Sequence, residues 1–491
     1  MNSISKISKG IIIALLSLLN TTVSGQQLFN VLGGDTRGIL GLNTLNRNSF
    51  SISTDPQLLL NVTDIRYYSV STFDDIYREK ALELNTEVSK IIQISRIEFP
   101  VKSGQNGSAM GIEYSYNSSN IDRISASNQR YLFQRHLEQL SIAMGQRILR
   151  GKIGFAGSVG ATKLLGEMKP HYAAALNIKP SRMFSLNLQF SKQMNSINMN
   201  LDIDGESYPI SSGVVNTDLI FGFELTPIEV IGAKFSYSKG SSHGENSLSD
   251  PVEYSLSPLS ESIHLNGELT LKKPNIVSLK LKYGSFIVTG NQTLYRYGQK
   301  KGKMTKFEFR ENNIGLIGSL HVSPNSLFLF EYGMSKMDGY QKGHIESSVI
   351  TSVLLTLQGT RYSYRGKLTA DMTHIRLGYS KNAIRNISFS SKIGYVWLNP
   401  EFDLRSWGSE FLVFGVRDYQ RRNLNLNHAE LIVPEIKLGF NFGISTLSYT
   451  FAQAIPTVIR KEFESTGGDD VNRPYSVYGG GYHLLEFSIS P

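Results

Sequence analysis

Apolar and polar residues exchange places at every step through long stretches of this chain. In residues 184–191, which read FSLNLQFS, every second residue is apolar and the residues between are polar. Residues 197–204, which read INMNLDID, repeat the pattern. Because successive side chains of a β-strand point to opposite faces, this period of two predicts strands with one apolar face and one polar face. After residue 25 no apolar run is long enough to cross a bilayer as a helix.

The alternation begins near residue 62 and recurs to the end of the chain, which predicts an all-β fold. Short connections, such as 179–181 and 273–275, are expected to be tight turns. Longer polar connections are expected to be extracellular loops, at 238–257, 290–303, 399–427 and 461–476. We predict a single closed antiparallel transmembrane β-barrel of roughly 14–18 strands over residues 62–491. The alternative is a soluble β-sandwich or propeller, which is disfavoured because no repeat of fixed period is present.

The first 25 residues have the features of a secretory signal peptide. Lys6 and Lys9 precede an apolar run at 10–19, and small residues follow at 23–25. Cleavage there would start the mature chain at Gln26 and lower the net charge from +9 to +7, because two lysines and no acids are removed. The sequence therefore predicts export to the outer membrane of a Gram-negative bacterium, of a Bacteroidetes-like type.

Composition agrees with a barrel and excludes several kinds of chemistry. The chain has 24 Tyr, 25 Phe and 2 Trp, which suits aromatic girdles built from Tyr and Phe. It has no Cys, which rules out disulfides, thiolate metal sites and a cysteine nucleophile. Its basic residues are dispersed along the strands, so a solvated or lipopolysaccharide-facing surface is favoured and nucleic acid is not expected as a partner.

Residues 26–61 do not alternate, and their composition suits a compact irregular segment. Its glycine-rich stretch, 33–41, contains Gly33, Gly34, Gly38 and Gly41. Asp55-Pro56 and two leucines, Leu58 and Leu59, follow. These two elements resemble the opening of the long-chain fatty-acid transporter superfamily of outer-membrane barrels, and also that of related barrels of the Bacteroidetes type IX secretion system. Asp55 stands where that family has Asn.

The resemblance implies that residues 26–61 form an N-terminal plug or periplasmic cap before the first strand. It also implies a barrel that binds or passes hydrophobic small molecules through a lumen gated by that plug. The alternative is a scaffold barrel of a type IX secretion or surface-assembly complex, with a secretion or surface protein as its partner. The last strand, with Leu485, Phe487 and Ile489 on one face, resembles the signal that the barrel-assembly machinery reads.

No motif in the chain predicts an enzyme, a cofactor or a metal site. His-Glu-x-x-His, a phosphate-binding loop and Gly-x-Ser-x-Gly are absent. His136, His264 and His321 fall among polar neighbours on predicted strands, which favours solvated lumenal side chains. Two basic clusters fall in predicted long loops, where they would meet lipopolysaccharide phosphates or keep the loops solvated: Lys300, Lys301 and Lys303, and Arg417, Arg421 and Arg422.

The lumen is the feature that distinguishes the two functions. A transporter of hydrophobic molecules needs apolar residues that face inward, whereas a scaffold can fill its lumen with ion pairs. Lys280, Lys282, Glu268 and Lys437 share the polar face of their predicted strands, which indicates a polar interior.

Overall fold

The structure is a computed structural model. It describes residues 51–489 with breaks in the connections between strands, at 78–84, 125–129, 165–166, 204–205, 229, 246–253, 274–275, 297–298, 324, 352–355, 385, 413–414 and 467–479. The predicted signal peptide and residues 26–50 lie outside the described residues.

A 3₁₀ helix, Pro56–Asn61, precedes eighteen strands. The strands are β1 (Arg66–Tyr77), β2 (Asn85–Lys102), β3 (Ser108–Ile124), β4 (Arg130–Ile148), β5 (Ile153–Leu164), β6 (Glu167–Ile178), β7 (Phe184–Ile203), β8 (Glu206–Ile228), β9 (Ile231–Glu245), β10 (Tyr254–Lys273), β11 (Val277–Arg296), β12 (Gln299–Ser323), β13 (Ser326–Thr351), β14 (Thr356–Ile384), β15 (Ile387–Leu412), β16 (Gly415–Asn441), β17 (Ser445–Thr466) and β18 (Gly480–Ile489).

The sheet closes on itself. Each strand pairs antiparallel with its neighbours in the chain, and β1 pairs with both β2 and β18, so that Tyr67 lies opposite Ile97 and Ile489. The prediction of a closed antiparallel barrel is therefore confirmed, and the 18 strands lie at the upper end of the predicted number. No helix among the described residues is long and apolar enough to cross a membrane.

The two faces of the barrel wall differ in polarity. On β4, Ile142 and Met144 point outward and are about half exposed, whereas Ser141 and Ala143 between them are buried on the inner face. Exposed apolar side chains continue around the barrel, and include Ile112, Phe155, Leu188, Leu219, Leu269, Leu281, Ile314, Met334, Leu377, Ile393, Leu438 and Leu485. A continuous exposed apolar band around a closed barrel is the surface that a lipid bilayer covers.

The strands extend farther beyond the apolar band at one end of the barrel than at the other. One end carries the start of β1, the end of β18 and tight turns such as 103–107 and 442–444, where Gly104 and Gly443 adopt the positive φ that glycine permits. At the other end β12 to β17 continue well past the band, since they are 22–29 residues long and about 9–11 residues span a bilayer.

Three of the predicted long loops are therefore wrong in extent. Strands occupy most of 238–257, 290–303 and 399–427, because β9, β11 and β15 run on to residues 245, 296 and 412. In the fourth, β17 covers 461–466, and the rest of 461–476 lies outside the described residues. Above the membrane both faces of a strand meet water, so backbone pairing continues there without the alternation that marks a strand in the sequence. The basic residues predicted in loops lie instead in strands: Lys300, Lys301 and Lys303 in β12, and Arg417, Arg421 and Arg422 in β16.

Candidate functional site in the barrel lumen

The pairing register between strands identifies the residues that share the inner face of the wall. Residues of β2 to β7 that pair across the inner face include Arg96 with Glu113, Glu113 with Ser141 and Ser141 with Gly160. These positions alternate with the exposed apolar residues of the outer band. Three groups of residues occupy the inner face: a docked segment, an ionic belt and an apolar patch.

The docked segment comprises residues 51–62. It lies against β3 to β7, with Ile52 and Leu59 fully buried in a cluster with Ala109 and Ala143. Glycine makes this contact possible, since a Cβ added to Gly111 would lie 3.0 Å from Leu59 Cδ2. The inner wall is therefore recessed where the apolar side chains of the segment rest.

Polar contacts hold the same segment at several points. Glu113 of β3 accepts hydrogen bonds from the Ser51 hydroxyl and from the backbone N–H of Ile52, the second at 2.9 Å. Ser158 of β5 donates to the carbonyl of Ser53 at 3.3 Å. Gln189 of β7 donates to the carbonyl of Thr54, and Arg147 of β4 donates to Asn61. Four strands thus bind one short segment through both apolar and polar contacts.

Arg96 supports the buried carboxylate that receives the segment. Its guanidinium lies 2.6 Å from Glu98 and 3.6 Å from Glu113, and all three side chains are buried. A buried carboxylate needs such partners, because an isolated charge removed from water is strongly destabilising. Glu113 therefore has a cation on one side and the hydrogen-bond donors of the docked segment on the other.

Asp55 and Pro56 form the start of the 3₁₀ helix within this segment. The Asp55 carboxylate accepts a hydrogen bond from the backbone N–H of Gln57 at 3.2 Å, and Pro56 is buried at the first helical turn. Burial raises the pKa of Asp55 to about 6, although the hydrogen bond from Gln57 and the charge of Arg96 act in the opposite direction. Gly33, Gly34, Gly38 and Gly41 lie outside the described residues, so the role of 26–61 as a plug stays a prediction.

The ionic belt consists of ion pairs between lumenal side chains of β10 to β18. Three of the four residues expected on the polar face belong to it, because Lys280 lies 3.1 Å from Glu268 and Lys437 lies 2.9 Å from Glu486. Lys282 lies on the same inner face, opposite Glu268. The remaining pairs of the belt are Arg376 with Glu331 at 3.2 Å and Lys392 with Glu435 at 2.6 Å.

The apolar patch lies on the inner face of β11 to β16, farther from the tight turns than the ionic belt. Its members are buried and pack on one another: Phe286, Val288, Phe309, Met337, Ala370, Met372, Val396, Ala429, Leu431 and Val433. Sequence reasoning missed this patch because only the outward positions were expected to be apolar. The run Phe286-Ile287-Val288, which breaks the alternation of β11, is the signal that could have found it.

One lumenal histidine makes a contact that spacing in the sequence did not predict. His171 of β6 lies 2.8 Å from the Ser141 hydroxyl and 2.9 Å from the Thr162 hydroxyl, and Gln139 donates to Thr162 at 3.2 Å. Ser141 and His171 are almost completely buried, and a hydroxyl rather than a carboxylate faces the second ring nitrogen. The arrangement is a satisfied hydrogen-bond network of the wall.

The other histidines weighed from the sequence lie apart. His264 is on the inner face, as expected, and is partly exposed. Its ring lies 4.1 Å from that of Phe286, so it packs on the edge of the apolar patch. His321 is exposed near the tight turn that follows β12, and the side chain of His136 lies outside the described set. Among the described residues no three His, Asp or Glu side chains are grouped closely enough to hold a metal ion.

Closed strand pairing, an apolar outer band and a partly charged lumen define a transmembrane β-barrel of the type found in bacterial outer membranes. No protein-family model matches the chain, and no curated protein is significantly similar to it in sequence. The resemblance to the fatty-acid transporter superfamily and to type IX secretion barrels therefore stays a prediction.

Solved outer-membrane proteins align over most of the chain at low identity. OpdL from Pseudomonas aeruginosa aligns with a TM-score of 0.35 and 7% identity, over 87% of this chain and 98% of that one. OccK7 (OpdD) from the same organism aligns with a TM-score of 0.35 and 9% identity, over the same shares of both chains. A bacterial polysaccharide outer membrane secretin aligns with a TM-score of 0.32 and 7% identity, over 88% of this chain and 100% of that one. Such values carry no argument about function.

Proposed function

We propose that this barrel binds hydrophobic small molecules in its lumen and passes them across the outer membrane. The observation that carries the proposal is the apolar patch on the inner face of β11 to β16. The passage of ions alone does not require Phe286, Phe309 and Met337 on the inner face. Apolar side chains that converge on an interior surface are the usual lining of a site for an apolar ligand.

The position of the docked segment supports a gated path. Segment 51–62 contacts β3 to β7, whereas the apolar patch lies on β11 to β16, about half the circumference away in the order of the strands. The two features therefore occupy opposite walls of one lumen. A hydrophobic molecule would follow the patch, and the docked segment would set the width of the passage beside it.

The proposal is tested by changing the polarity of the patch without changing its volume. Met337 and Met372 are buried on neighbouring strands of the patch. The double variant Met337→Gln/Met372→Gln places two amides there, and about 1–3 kcal/mol for each unpaired amide predicts at least tenfold slower passage of an apolar solute. Met337→Leu/Met372→Leu keeps the patch apolar and should retain passage.

Uptake of a fluorescent long-chain fatty acid into proteoliposomes is the measurement, with the conductance of small ions in planar bilayers as the control. Slower uptake in the Gln variant at unchanged ion conductance supports the proposal. Equal uptake by the wild-type chain, the Gln variant and empty liposomes would refute the proposal of transport. The folded state of each variant is checked by its heat-dependent mobility on gels.

A scaffold barrel is the second candidate, and the ionic belt favours it. The four ion pairs Glu268–Lys280, Glu331–Arg376, Lys392–Glu435 and Lys437–Glu486 bring opposite charges together across the inner face, as expected where a lumen is filled for rigidity. Extraction in mild detergent followed by mass spectrometry separates the two candidates. A retained apolar molecule favours transport, whereas a stoichiometric surface or secretion protein with an empty lumen favours the scaffold.

A further inference from the structure

Five basic residues lie directly opposite one another on five neighbouring strands. Lys306 of β12 pairs with Lys342 of β13, and Lys342 pairs with Arg365 of β14. Arg365 pairs with Arg405 of β15, which in turn pairs with Arg422 of β16. We call these five residues the cation row. The alternation within single strands does not reveal it, because it exists only in the register between strands.

The cation row lies on the outer face of the barrel. Lys306 and the lipid-facing Ile314 of the same strand are an even number of residues apart, as are Lys342 and Met334. Lys306, Lys342, Arg365 and Arg405 are exposed, and Arg422 is placed by its backbone register. At about 3.3 Å per residue along a tilted strand, Lys306 lies roughly 20 Å beyond Ile314. The end of the barrel opposite the chain termini is the extracellular end of such proteins.

The arrangement is electrostatically unfavourable as it stands. Like charges directly opposite each other in a sheet destabilise the pairing, since their Cβ atoms are only about 5 Å apart. Within the described part of the chain Lys306 and Lys342 form no ion pair, while Arg365 stacks on Tyr340 and Arg405 binds Asp403 at 3.1 Å.

Two outward lysines elsewhere on the barrel have acidic partners. Lys163 lies 3.5 Å from Glu138 across β4 and β5, and Lys239 lies 3.8 Å from Glu261 across β9 and β10. Lys306 and Lys342 therefore differ from these two lysines, because each faces another cation across the strands. An anionic partner outside the chain would neutralise the charges that repel one another here.

We infer that the cation row binds the phosphate groups of lipopolysaccharide in the outer leaflet. The row faces outward above the lipid-facing band, where the phosphorylated sugars of that lipid lie. Five strands at about 4.8 Å spacing extend the row over roughly 20 Å, which suits a partner with several phosphates better than a single free phosphate. Lysine and arginine form charge-assisted hydrogen bonds with phosphate oxygens, and arginine binds them in bidentate geometry. The inference is independent of what passes through the lumen.

The test compares a variant that interrupts the cation row with one that removes paired lysines. Lys342→Gln/Arg365→Gln takes two adjacent charges from its centre, and Lys163→Gln/Lys239→Gln takes two exposed lysines elsewhere. Purified full-length protein in detergent is titrated with lipopolysaccharide in the presence of a chelator. We expect at least about tenfold weaker binding for the first variant and a change of less than about threefold for the second.

Thermal stability supplies a readout that a general loss of charge does not mimic. Without lipopolysaccharide at low salt, the first variant should unfold at a higher temperature than the wild-type chain, because it has fewer repelling pairs. With lipopolysaccharide the order should reverse, because the lipid stabilises only the intact row. Equal affinity of all three proteins, or equal stabilisation by lipopolysaccharide stripped of its phosphates, would show that the row is merely solvated. If the double variant does not fold, Lys342→Gln alone decides between these outcomes.

Discussion

Truncation of Leu59 is the sharpest test of how the docked segment is held in the lumen. Its side chain is only 1% exposed and rests against the inner wall at Gly111 and Gly145. Leu59→Ala removes buried methyl groups and leaves a cavity, a change that destabilises packed sites by about 2–5 kcal/mol. Since about 1.4 kcal/mol corresponds to a factor of ten, the undocked fraction should rise by a factor of about 30 to 4,000.

The absence of cysteine gives this prediction a direct assay. Ser53 and Ser158 are in contact, because the Ser158 hydroxyl donates to the Ser53 carbonyl at 3.3 Å. A Ser53→Cys/Ser158→Cys background therefore adds the only two thiols of the chain, and the rate of their cross-linking reports the docked fraction. We expect Leu59→Ala to slow cross-linking and to raise ion conductance in planar bilayers. Ile65→Ala, which truncates a residue that is 55% exposed, is the matched control.

Equal cross-linking rates of Leu59→Ala and Ile65→Ala would show that the packing of Leu59 does not hold the segment in the lumen. Unchanged conductance with slower cross-linking would have a different meaning. It would show that Leu59 holds segment 51–62 against the wall but that the segment does not restrict the passage, so the segment would have no gating role.

Three further predictions concern single positions. Docking of the segment should strengthen as pH falls from 7 to 4, because the pKa of Asp55 is raised from 3.8 to about 6 and the docked state therefore binds the proton more tightly. The gain is at most about 3 kcal/mol. The cross-linking rate of the chain with Asp55, divided by that of an Asp55→Asn variant at the same pH, should therefore rise as pH falls. Gly160→Ala would place a Cβ against the Leu140 carbonyl and the His171 ring, so its gel mobility transition should fall in temperature by an amount equivalent to about 1–3 kcal/mol. Gly267→Ala is the control: its Cβ would meet nothing within 4 Å, so its transition temperature should not fall. Ser141→Ala removes one partner of His171 and should destabilise the barrel by about 1–3 kcal/mol in the same gel assay, without changing solute uptake.

Alternation in the sequence was sufficient to predict the barrel and most of its two faces. Lys280, Glu268 and Lys437 were expected on the polar face, and they lie on the inner wall as members of ion pairs. The reason is physical, since a strand that crosses a bilayer must separate lipid-facing from lumenal residues at every second position. Beyond the bilayer both faces of a strand meet water and this requirement ends. Strands there do not alternate in sequence, which is why they were predicted as loops.

Features that depend on contacts between distant strands were not predictable from alternation. The recess for Leu59 requires Gly111 and Gly145 to come together on neighbouring strands, and each is an unremarkable glycine in its own stretch. The cation row likewise depends on the register of β12 to β16, in which any slip would separate Lys342 from Arg365. Pairing of this kind is determined by the whole sheet and is not encoded in one strand.

The opposite placement of segment 51–62 and the apolar patch allows the transporter and the scaffold to be distinguished within one experiment. In a transporter both walls border the same passage, so a more mobile segment should partly relieve the slow uptake caused by Met337→Gln/Met372→Gln. Combined with Leu59→Ala, the patch variant should then show an effect on fatty-acid uptake that is smaller than the product of the separate effects. Coupling of this kind is expected only where two sites act on one process. In a scaffold the lumen carries no solute. Leu59→Ala and the pair Met337→Gln/Met372→Gln should then affect only stability, and their effects should add, since the two sites lie on opposite walls.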